Sequence, residues 1–246
     1  TRSLSSAASD VYKRQLNMCG RNTLTSNIKS ITKDFSIDTW EFDNLKAQYN
    51  ISPSSFNPVL IHKKKIRVVK KMKWGLIPNW ASETSIGNQM INARSETLTE
   101  KPSFQNLTQQ NRCVVFSNGY FEWKTLNGKK QPYYISNRKK LFSFAGLWSK
   151  WKAINEDVIY SYTIITTKSQ KNLSKIHHRM PVILKNNDVE KWINHTKYNF
   201  NIVQKLLKPF SKNLNYHNVS PFVNSVKNDT ARCIEEIKNP YTINLF

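Results

Sequence analysis

The stretch CVVFSNGYFEWKTLNGKKQPYYI, residues 113–135, contains three runs of apolar and aromatic residues, each of a length typical of a β-strand. Asn127-Gly128 separates the last two runs, and both residue types tolerate the positive φ angles that a two-residue hairpin turn requires. The stretch therefore predicts three consecutive antiparallel strands, at residues 113–116, 120–124 and 133–135.

Similar runs on both sides of this stretch extend the predicted sheet. Further strands are expected at residues 58–61, 66–72, 141–148 and 159–167, and at the end of 177–184. Helices are expected at residues 26–35, 104–110, 188–194 and 200–207, with a loop at 49–53 and a loop or short helical turn at 91–97. Because the strands follow one another without regular βαβ alternation, the sequence predicts a single α+β domain built on a mainly antiparallel sheet.

The composition favours a globular protein with an anionic partner. The 246 residues carry a net charge of +22, which suits a polyanion, most simply nucleic acid. The alternative is that the many lysines reflect only the residue usage of an AT-rich genome. No run approaches the roughly 18 apolar residues that cross a bilayer, so we expect a soluble protein that does not contact membranes.

The three cysteines, Cys19, Cys113 and Cys233, fit neither a disulfide framework nor a zinc site. This usage indicates a reducing compartment. We interpret Cys113 and Cys233 as small hydrophobic residues of the core.

Cys19, within Met18-Cys19-Gly20-Arg21, has unusual chemistry if it becomes the N-terminal residue. Its α-amine then condenses with an aldehyde to an imine, and its thiol closes on the imine carbon to give a thiazolidine. Residues 1–17 contain no apolar segment of a signal peptide, and we interpret them as a non-native or removed extension. Removal of Met18, or alternatively self-cleavage before Cys19, would expose the amine.

Four polar residues stand inside apolar or aromatic strings: Cys19, Asn92, Glu122 and His177. Glu122 lies between Phe121 and Trp123, where desolvation is expected to raise its pKa towards that of a general acid or base. The alternative is that strand alternation turns Glu122 outward. For His177 the alternative is an ordinary surface or core histidine.

Three arginines, Arg21, Arg94 and Arg179, stand close to these polar residues and would suit phosphate contacts, although each could equally form an ordinary salt bridge. The segment Trp74-Gly75-Leu76-Ile77-Pro78-Asn79-Trp80 places two tryptophans around a glycine and a proline. Such a loop suits base stacking if its rings are exposed, and two core tryptophans would give the same pattern.

Seven ordered motifs carry a resemblance to a known family. They are Met18-Cys19-Gly20-Arg21, Tyr49-Asn50-Ile51-Ser52-Pro53, Trp74-Gly75-Leu76-Ile77-Pro78, Asn92-Ala93-Arg94-Ser95-Glu96-Thr97, Gly119-Tyr120-Phe121-Glu122-Trp123, Phe144-Ala145-Gly146-Leu147-Trp148 and His177-His178-Arg179-Met180-Pro181. In this order the motifs resemble those of the SOS response-associated peptidase (SRAP) family, and Val226-Lys227-Asn228 is similar to its closing motif. The resemblance implies a domain of residues 18–246 with a barrel-like sheet and flanking helices.

The resemblance also implies an abasic-site sensor that binds single-stranded DNA and links its N-terminal cysteine to the opened sugar. The implied catalytic residues are Cys19, Asn92, Glu122 and His177. The implied DNA contacts are Arg21, Arg94 and Arg179 on the backbone, with Trp74 and Pro78 beside the bases. No metal or organic cofactor is implied. We expect a monomer, in the nucleoid region of the cytoplasm if the source is bacterial and in the nucleus if it is eukaryotic.

Two other functions fit the same residues. The first is a thiol peptidase or amidohydrolase, with Cys19 as the nucleophile, His177 as the base and Asn92 as the group that orients it. The second is a basic nucleic-acid-binding module without chemistry, in which replacing Cys19 changes nothing.

Overall fold

The computed structural model describes residues 20–137, 140–153 and 157–238. The strands are β1 (Arg21–Leu24), β2 (Thr39–Trp40), β3 (Gln48–Ile51), β4 (Phe56–Lys63), β5 (Ile66–Trp74), β6 (Asn92–Arg94), β7 (Arg112–Ser117), β8 (Gly119–Leu126), β9 (Lys129–Ser136), β10 (Phe142–Lys152), β11 (Val158–Lys168), β12 (Arg179–Pro181), β13 (Ile183–Leu184) and β14 (Asn215–Asn218). The α-helices are α1 (Ile28–Phe35), α2 (Leu107–Gln110), α3 (Asn186–Ile193) and α4 (Phe200–Val203), and 3₁₀ helices occur at Thr84–Gln89, Ser95–Thr97, Gln204–Leu206, Pro221–Asn224 and Ala231–Ile234.

Five strands close into a barrel. They lie in the order β11, β10, β7, β4 and β5, and β5 returns to pair with β11. This closing pair is parallel, with Tyr162 opposite Trp74, whereas the other four pairs of the ring are antiparallel. Apolar side chains such as Val115, Phe144 and Ile164 are at most 1% exposed. Each buried side chain of this kind stabilises the fold by roughly 1.5 to 3 kcal/mol.

A second sheet carries the hairpin that the sequence predicted. Its strand order is β14, β9, β8, β1 and β3, and every pair in it is antiparallel. The turn between β8 and β9 has φ angles of 47° at Asn127 and 77° at Gly128, the positive values for which these residues were identified. Strand β1 thereby lies between β8 and β3, with Arg21 opposite Phe121.

The helices flank the two sheets. Asn27 caps α1 by accepting a hydrogen bond from the Ser30 N–H at 2.9 Å, as its position before the apolar run predicted. Ile31 and Phe35 then bury one face of α1, and the Phe35 ring lies 4.9 Å from that of Phe116. The α+β fold with a mainly antiparallel, barrel-like sheet is confirmed. No helix in the described ranges is long and apolar enough to cross a membrane.

Two segments differ from the expected loops. Gln48–Ile51 forms strand β3, which pairs with β1, and Pro53 lies after the strand, where it interrupts no pairing. In the segment 91–97, Asn92–Arg94 forms strand β6, which pairs in parallel with β11, whereas the expected short helical turn is present at Ser95–Thr97. Both strands are too short to show alternation of polar and apolar residues, and partner strands distant in sequence supply their hydrogen bonds.

Candidate active site

A cleft of about 830 Å³ is lined by the start of β1, by β8 from Glu122 onward and by residues that precede β6 and β12. Gly20 and Arg21 line it from the start of β1, and Glu122 lines it from β8. His177 enters from the segment that precedes β12. The cleft therefore brings together residues that are about 100 and 150 positions apart in the chain, as expected if they act on one substrate.

Glu122 and His177 form a pair inside the cleft. His177 Nδ1 lies 3.7 Å from Glu122 Oε2, and their side chains are only 11% and 4% exposed. The same Nδ1 lies 3.2 Å from both the backbone nitrogen and the carbonyl oxygen of Arg179, which fixes the ring orientation. A carboxylate and an imidazole in one sheltered site can pass a proton to or from a bound group. The inward orientation of Glu122 is the one that general acid or base chemistry requires.

Asn92 lies at the start of β6, directly after the cleft residue Ile91, and is half-buried. Trp74 holds this junction in place, because its indole N–H donates to the Ile91 carbonyl at 2.9 Å. The Trp74 ring is 1% exposed and stacks on Tyr162 with 6.2 Å between ring centroids. The expectation that Trp74 stacks on DNA bases is wrong, because both faces of the ring are covered by protein.

Pro78 is also buried, so the expected contact of Pro78 with DNA is wrong for the same reason. The tryptophan of this segment that reaches solvent is Trp80, with 59% of its surface exposed. Gly75 lies between the buried and the exposed part of this segment, and its φ of +119° and close approach to the Gly87 carbonyl leave no room for a side chain. Trp74, before this glycine, is buried, and Trp80, after it, is exposed.

The three predicted DNA-backbone arginines have different surroundings. Arg94 is exposed at the end of β6. Arg21 is half-buried, and its guanidinium donates to Asn50 Oδ1 at 2.7 Å and to the Val223 carbonyl at 2.9 Å. Burial lowers the pKa of Arg21. Their contacts with phosphate stay predictions, and Arg21 already has a structural partner.

Arg179 is 7% exposed and is held by Glu96. Its two terminal nitrogens lie 2.8 and 2.9 Å from the two carboxylate oxygens of Glu96, and it also donates to the Thr166 carbonyl at 2.6 Å. The ordinary salt bridge that the sequence left open is therefore present. A phosphate would reach this guanidinium only by competing with Glu96.

Replacing Glu96 by glutamine is expected to destabilise the protein at pH 7 and to reduce the loss of folding stability at acidic pH. Hydrogen bonds from Arg179 lower the pKa of Glu96 from 4.5 to about 2. This pair therefore stabilises the fold above pH 4.5, and the contribution is lost as the pH falls towards 2. We expect about 1 to 2 kcal/mol less stability at pH 7, because the carboxylate is partly solvated and the pair is correspondingly weakened.

Urea unfolding at pH 7 and pH 3 measures both effects, with Glu100→Gln, an exposed residue, as the control. Equal stability of Glu96→Gln and the unsubstituted protein at pH 7 would show that the pair is only a surface contact.

The sequence missed the residues that support the cleft from the C-terminal side. Asn224 Oδ1 accepts from the indole N–H of the cleft residue Trp123 at 2.8 Å, and Asn50 contacts both Arg21 and the segment around residue 225. The only sequence signal for Asn50 was its place in one of the seven motifs. Cys113 and Cys233 are buried and free, as interpreted.

Cys19 lies outside the described residues, as do residues 1–18. Within the part of the chain that is described, no cluster of three or more His, Cys, Asp or Glu side chains could hold a metal ion.

Comparisons with known proteins identify a family and named relatives of this chain. The model of a family described as SOS response associated peptidase (SRAP) matches residues 18–226. The abasic site processing protein YoqW of Bacillus subtilis is 39% identical over 222 residues, which cover 89% of this chain and 99% of YoqW. The abasic site processing protein HMCES of Gallus gallus is 34% identical over 226 residues, covering 78% of this chain and 67% of HMCES.

Solved structures share the fold. A protein from Bacteroides thetaiotaomicron aligns with a TM-score of 0.80 and 27% identity over 89% of this chain and all of that one. A protein from Bordetella bronchiseptica aligns with a TM-score of 0.70 over 82% of this chain and all of that one, at 19% identity, and supports the fold alone.

Proposed function

This chain belongs to the SRAP family, and on that premise we propose that it processes abasic sites in single-stranded DNA by linking Cys19 covalently to the lesion. The observation that carries the proposal is the Glu122–His177 pair, 3.7 Å apart in the cleft that Gly20 also lines. Relatives that share 34 to 39% identity over most of this chain are named abasic site processing proteins, which supports the choice of substrate.

The reaction joins an aldehyde to a terminal cysteine with loss of one water. The Cys19 amine adds to the aldehyde carbon of the ring-opened sugar, and the resulting carbinolamine loses its hydroxyl as water to give an imine. The Cys19 sulfur then adds to the imine carbon, while the thiol proton passes to the nitrogen. The product is a thiazolidine, and no oxidant, reductant or cofactor takes part.

The residues in and beside the cleft have distinct roles in this proposal: Glu122 and His177 line the cleft, whereas Asn92 and Arg94 follow the cleft residue Ile91 in β6. His177 and Glu122 transfer protons during sugar opening, amine addition and loss of water, and such transfers contribute roughly 10²- to 10⁴-fold to the rate. Asn92 holds the opened sugar through neutral hydrogen bonds. Arg94, which is exposed, holds a flanking phosphate.

The location of Gly20 supports a nucleophile at Cys19. Gly20 and Arg21 line the cleft, and Cys19 is the residue directly before Gly20 in the sequence. The family match begins at Met18, which supports a functional domain that starts there. The amine must be free, so the proposal includes its exposure, by removal of Met18 if translation starts there or by self-cleavage before Cys19.

Intact mass spectrometry of the chain expressed from Met18 tests this function. We expect a starting mass that lacks Met18 and, after addition of a single-stranded oligonucleotide with one abasic site, a gain equal to the oligonucleotide less one water. The adduct should survive high salt and denaturant, since it is covalent. A protein that has lost Met18 but forms no adduct would sink the crosslinking mechanism.

A peptidase acting through the Cys19 thiol is distinguished by blocking the α-amine. Thiazolidine formation requires the amine and should stop, whereas hydrolysis by the thiol of an added peptide should continue.

Trp80, not Trp74, is expected to stack on a DNA base. Trp80 is 59% exposed and lines a surface pocket together with Asn88 and Gln89. This pocket lies near the cleft, because Asn88 accepts a hydrogen bond from Ser54, the neighbour of the cleft residue Pro53. Trp80→Ala should weaken binding of undamaged single-stranded DNA by about 1 to 3 kcal/mol, since stacking is worth that much per base.

Fluorescence anisotropy measures this affinity. Ile66→Ala, which removes an exposed apolar side chain at the tip of the β4–β5 hairpin, should leave it unchanged. Equal affinities of Trp80→Ala and the control would remove Trp80 from the DNA path.

A further inference from the structure

Asn50 joins the start of β1 to the C-terminal part of the described chain. It is 5% exposed, and its carbonyl oxygen accepts from Arg21 Nη1 at 2.7 Å. Its amide nitrogen lies 3.1, 3.0 and 2.7 Å from the carbonyl oxygens of Val223, Ser225 and Asn228. One short side chain therefore uses both its acceptor and its donors to hold segments about 200 residues apart.

Asp229 also joins the C-terminal part of the described chain to β3. Its carboxylate accepts from the backbone N–H groups of Asn50 at 2.9 Å and of Tyr49 at 2.5 Å. Asn228 stiffens the loop, because its side chain donates to the Phe222 carbonyl at 2.6 Å. The two hydrogen bonds to the Asp229 carboxylate are charge-assisted, and such bonds are about twice as strong as neutral ones.

The C-terminal loop also reaches the catalytic strand β8. Arg21 donates to the carbonyls of Val223 at 2.9 Å and Asn224 at 3.1 Å, and the Asn224 side chain accepts from the Trp123 indole at 2.8 Å. Trp123 is the neighbour of Glu122 in β8. We call Arg21, Asn50 and residues 222–229 the clasp, and it fixes the start of β1 relative to the middle of β8, where both strands line the cleft.

We infer that Asn50 is a positioning residue for the crosslinking reaction. Resting on the proposed function, this inference assigns the clasp the task of holding the Cys19 nucleophiles, two residues before Arg21, against Glu122 and His177. The first residues of a domain are poorly ordered unless they are tied down, and β1 is only four residues long. A nucleophile misplaced by about 1 Å can lose roughly 10²-fold in rate.

The clasp also accounts for the polar contacts of Arg21. A guanidinium presents five donors in a rigid fork, and two of its nitrogens here bind protein oxygens of the clasp. Arg21 therefore orients the strand that carries it, whether or not it also meets a phosphate. Arg21→Lys keeps the positive charge but loses the fork, which separates the two roles.

The test compares Asn50→Ala with Asn201→Ala, an exposed asparagine in α4. At saturating DNA, Asn50→Ala should form the adduct about 10- to 100-fold more slowly, while the DNA concentration for half-maximal rate changes less than about threefold. Hydrogen exchange should rise in the peptide that contains β1 and stay unchanged in β10 and β11. Asn201→Ala should match the unsubstituted protein in all three measurements.

Two further variants keep the test decisive if Asn50→Ala folds poorly. Asp229→Asn should raise exchange in β1 and slow the reaction several-fold, and Arg21→Lys should slow it with the salt dependence of DNA binding preserved. Faster hydrogen exchange in β1 with an unchanged rate of adduct formation overturns the positioning role. A slower rate that is fully explained by a higher half-maximal DNA concentration overturns it as well. Unchanged exchange overturns the clasp itself. Absence of any adduct with the unsubstituted protein overturns the proposed function, and exchange still reports on the clasp.

Discussion

Replacing Cys19 by alanine is expected to abolish the adduct that survives denaturation. The variant keeps an α-amine after removal of Met18, because alanine is as small as cysteine, but it has no thiol to close the ring. The imine that the amine forms is hydrolysed when the sample is denatured. Intact mass spectrometry should therefore show only unmodified protein, while DNA affinity measured without denaturation is preserved.

Borohydride separates the two steps of this reaction. Reduction of the imine gives a stable amine, so an adduct of Cys19→Ala should reappear when borohydride is present during incubation. Cys113→Ala is the matched control, since Cys113 is a buried free thiol of strand β7 outside the cleft lining and the variant should crosslink normally. If Cys19→Ala formed the stable adduct as well as the unsubstituted protein, the thiazolidine would be excluded, because a residue other than Cys19 would then form the covalent bond.

Glu122→Gln is expected to slow crosslinking by about 10² to 10⁴ without weakening DNA binding. The amide keeps the size of the side chain but cannot exchange a proton with a bound sugar or with His177. Because Glu122 is buried beside His177 and contributes no exposed charge, DNA binding should be nearly unchanged. Single-turnover kinetics at saturating oligonucleotide measure the rate, and anisotropy measures the affinity.

The double variant Glu122→Gln, His177→Ala shows whether the two side chains act as one unit. If they share one proton-transfer path, the double variant should be little slower than the slower single variant. Glu100→Gln, an exposed carboxylate, should keep the full rate. Loss of rate and affinity together, with a lower melting temperature, would instead identify Glu122 as a structural residue.

Much of the fold could be predicted from the sequence, because turns, helix caps and strands depend on residues that are close together in the chain. The Asn127-Gly128 turn predicted its hairpin because few residue types adopt two successive positive φ angles, and the structure has them. The cap at Asn27 and the apolar and aromatic run of β8 are likewise properties of a few consecutive residues. The closure of the barrel was not derivable in this way, because the pairing of β5 with β11 joins strands some 90 residues apart.

The candidate site divides along the same line. The sequence by itself determined which residue types could carry the chemistry. These are a cysteine that could react through its own α-amine and thiol, a carboxylate among aromatic residues, a histidine and three arginines. Only the tertiary structure decided that Glu122 turns towards His177, that Trp74 is covered while Trp80 is exposed, and that Arg179 is held by Glu96. It also placed Asn50 against the loop of residues 222–229. The physical reason is that burial, ion pairing and hydrogen bonding depend on neighbours far away in the chain, whereas turns and caps depend on neighbours in sequence.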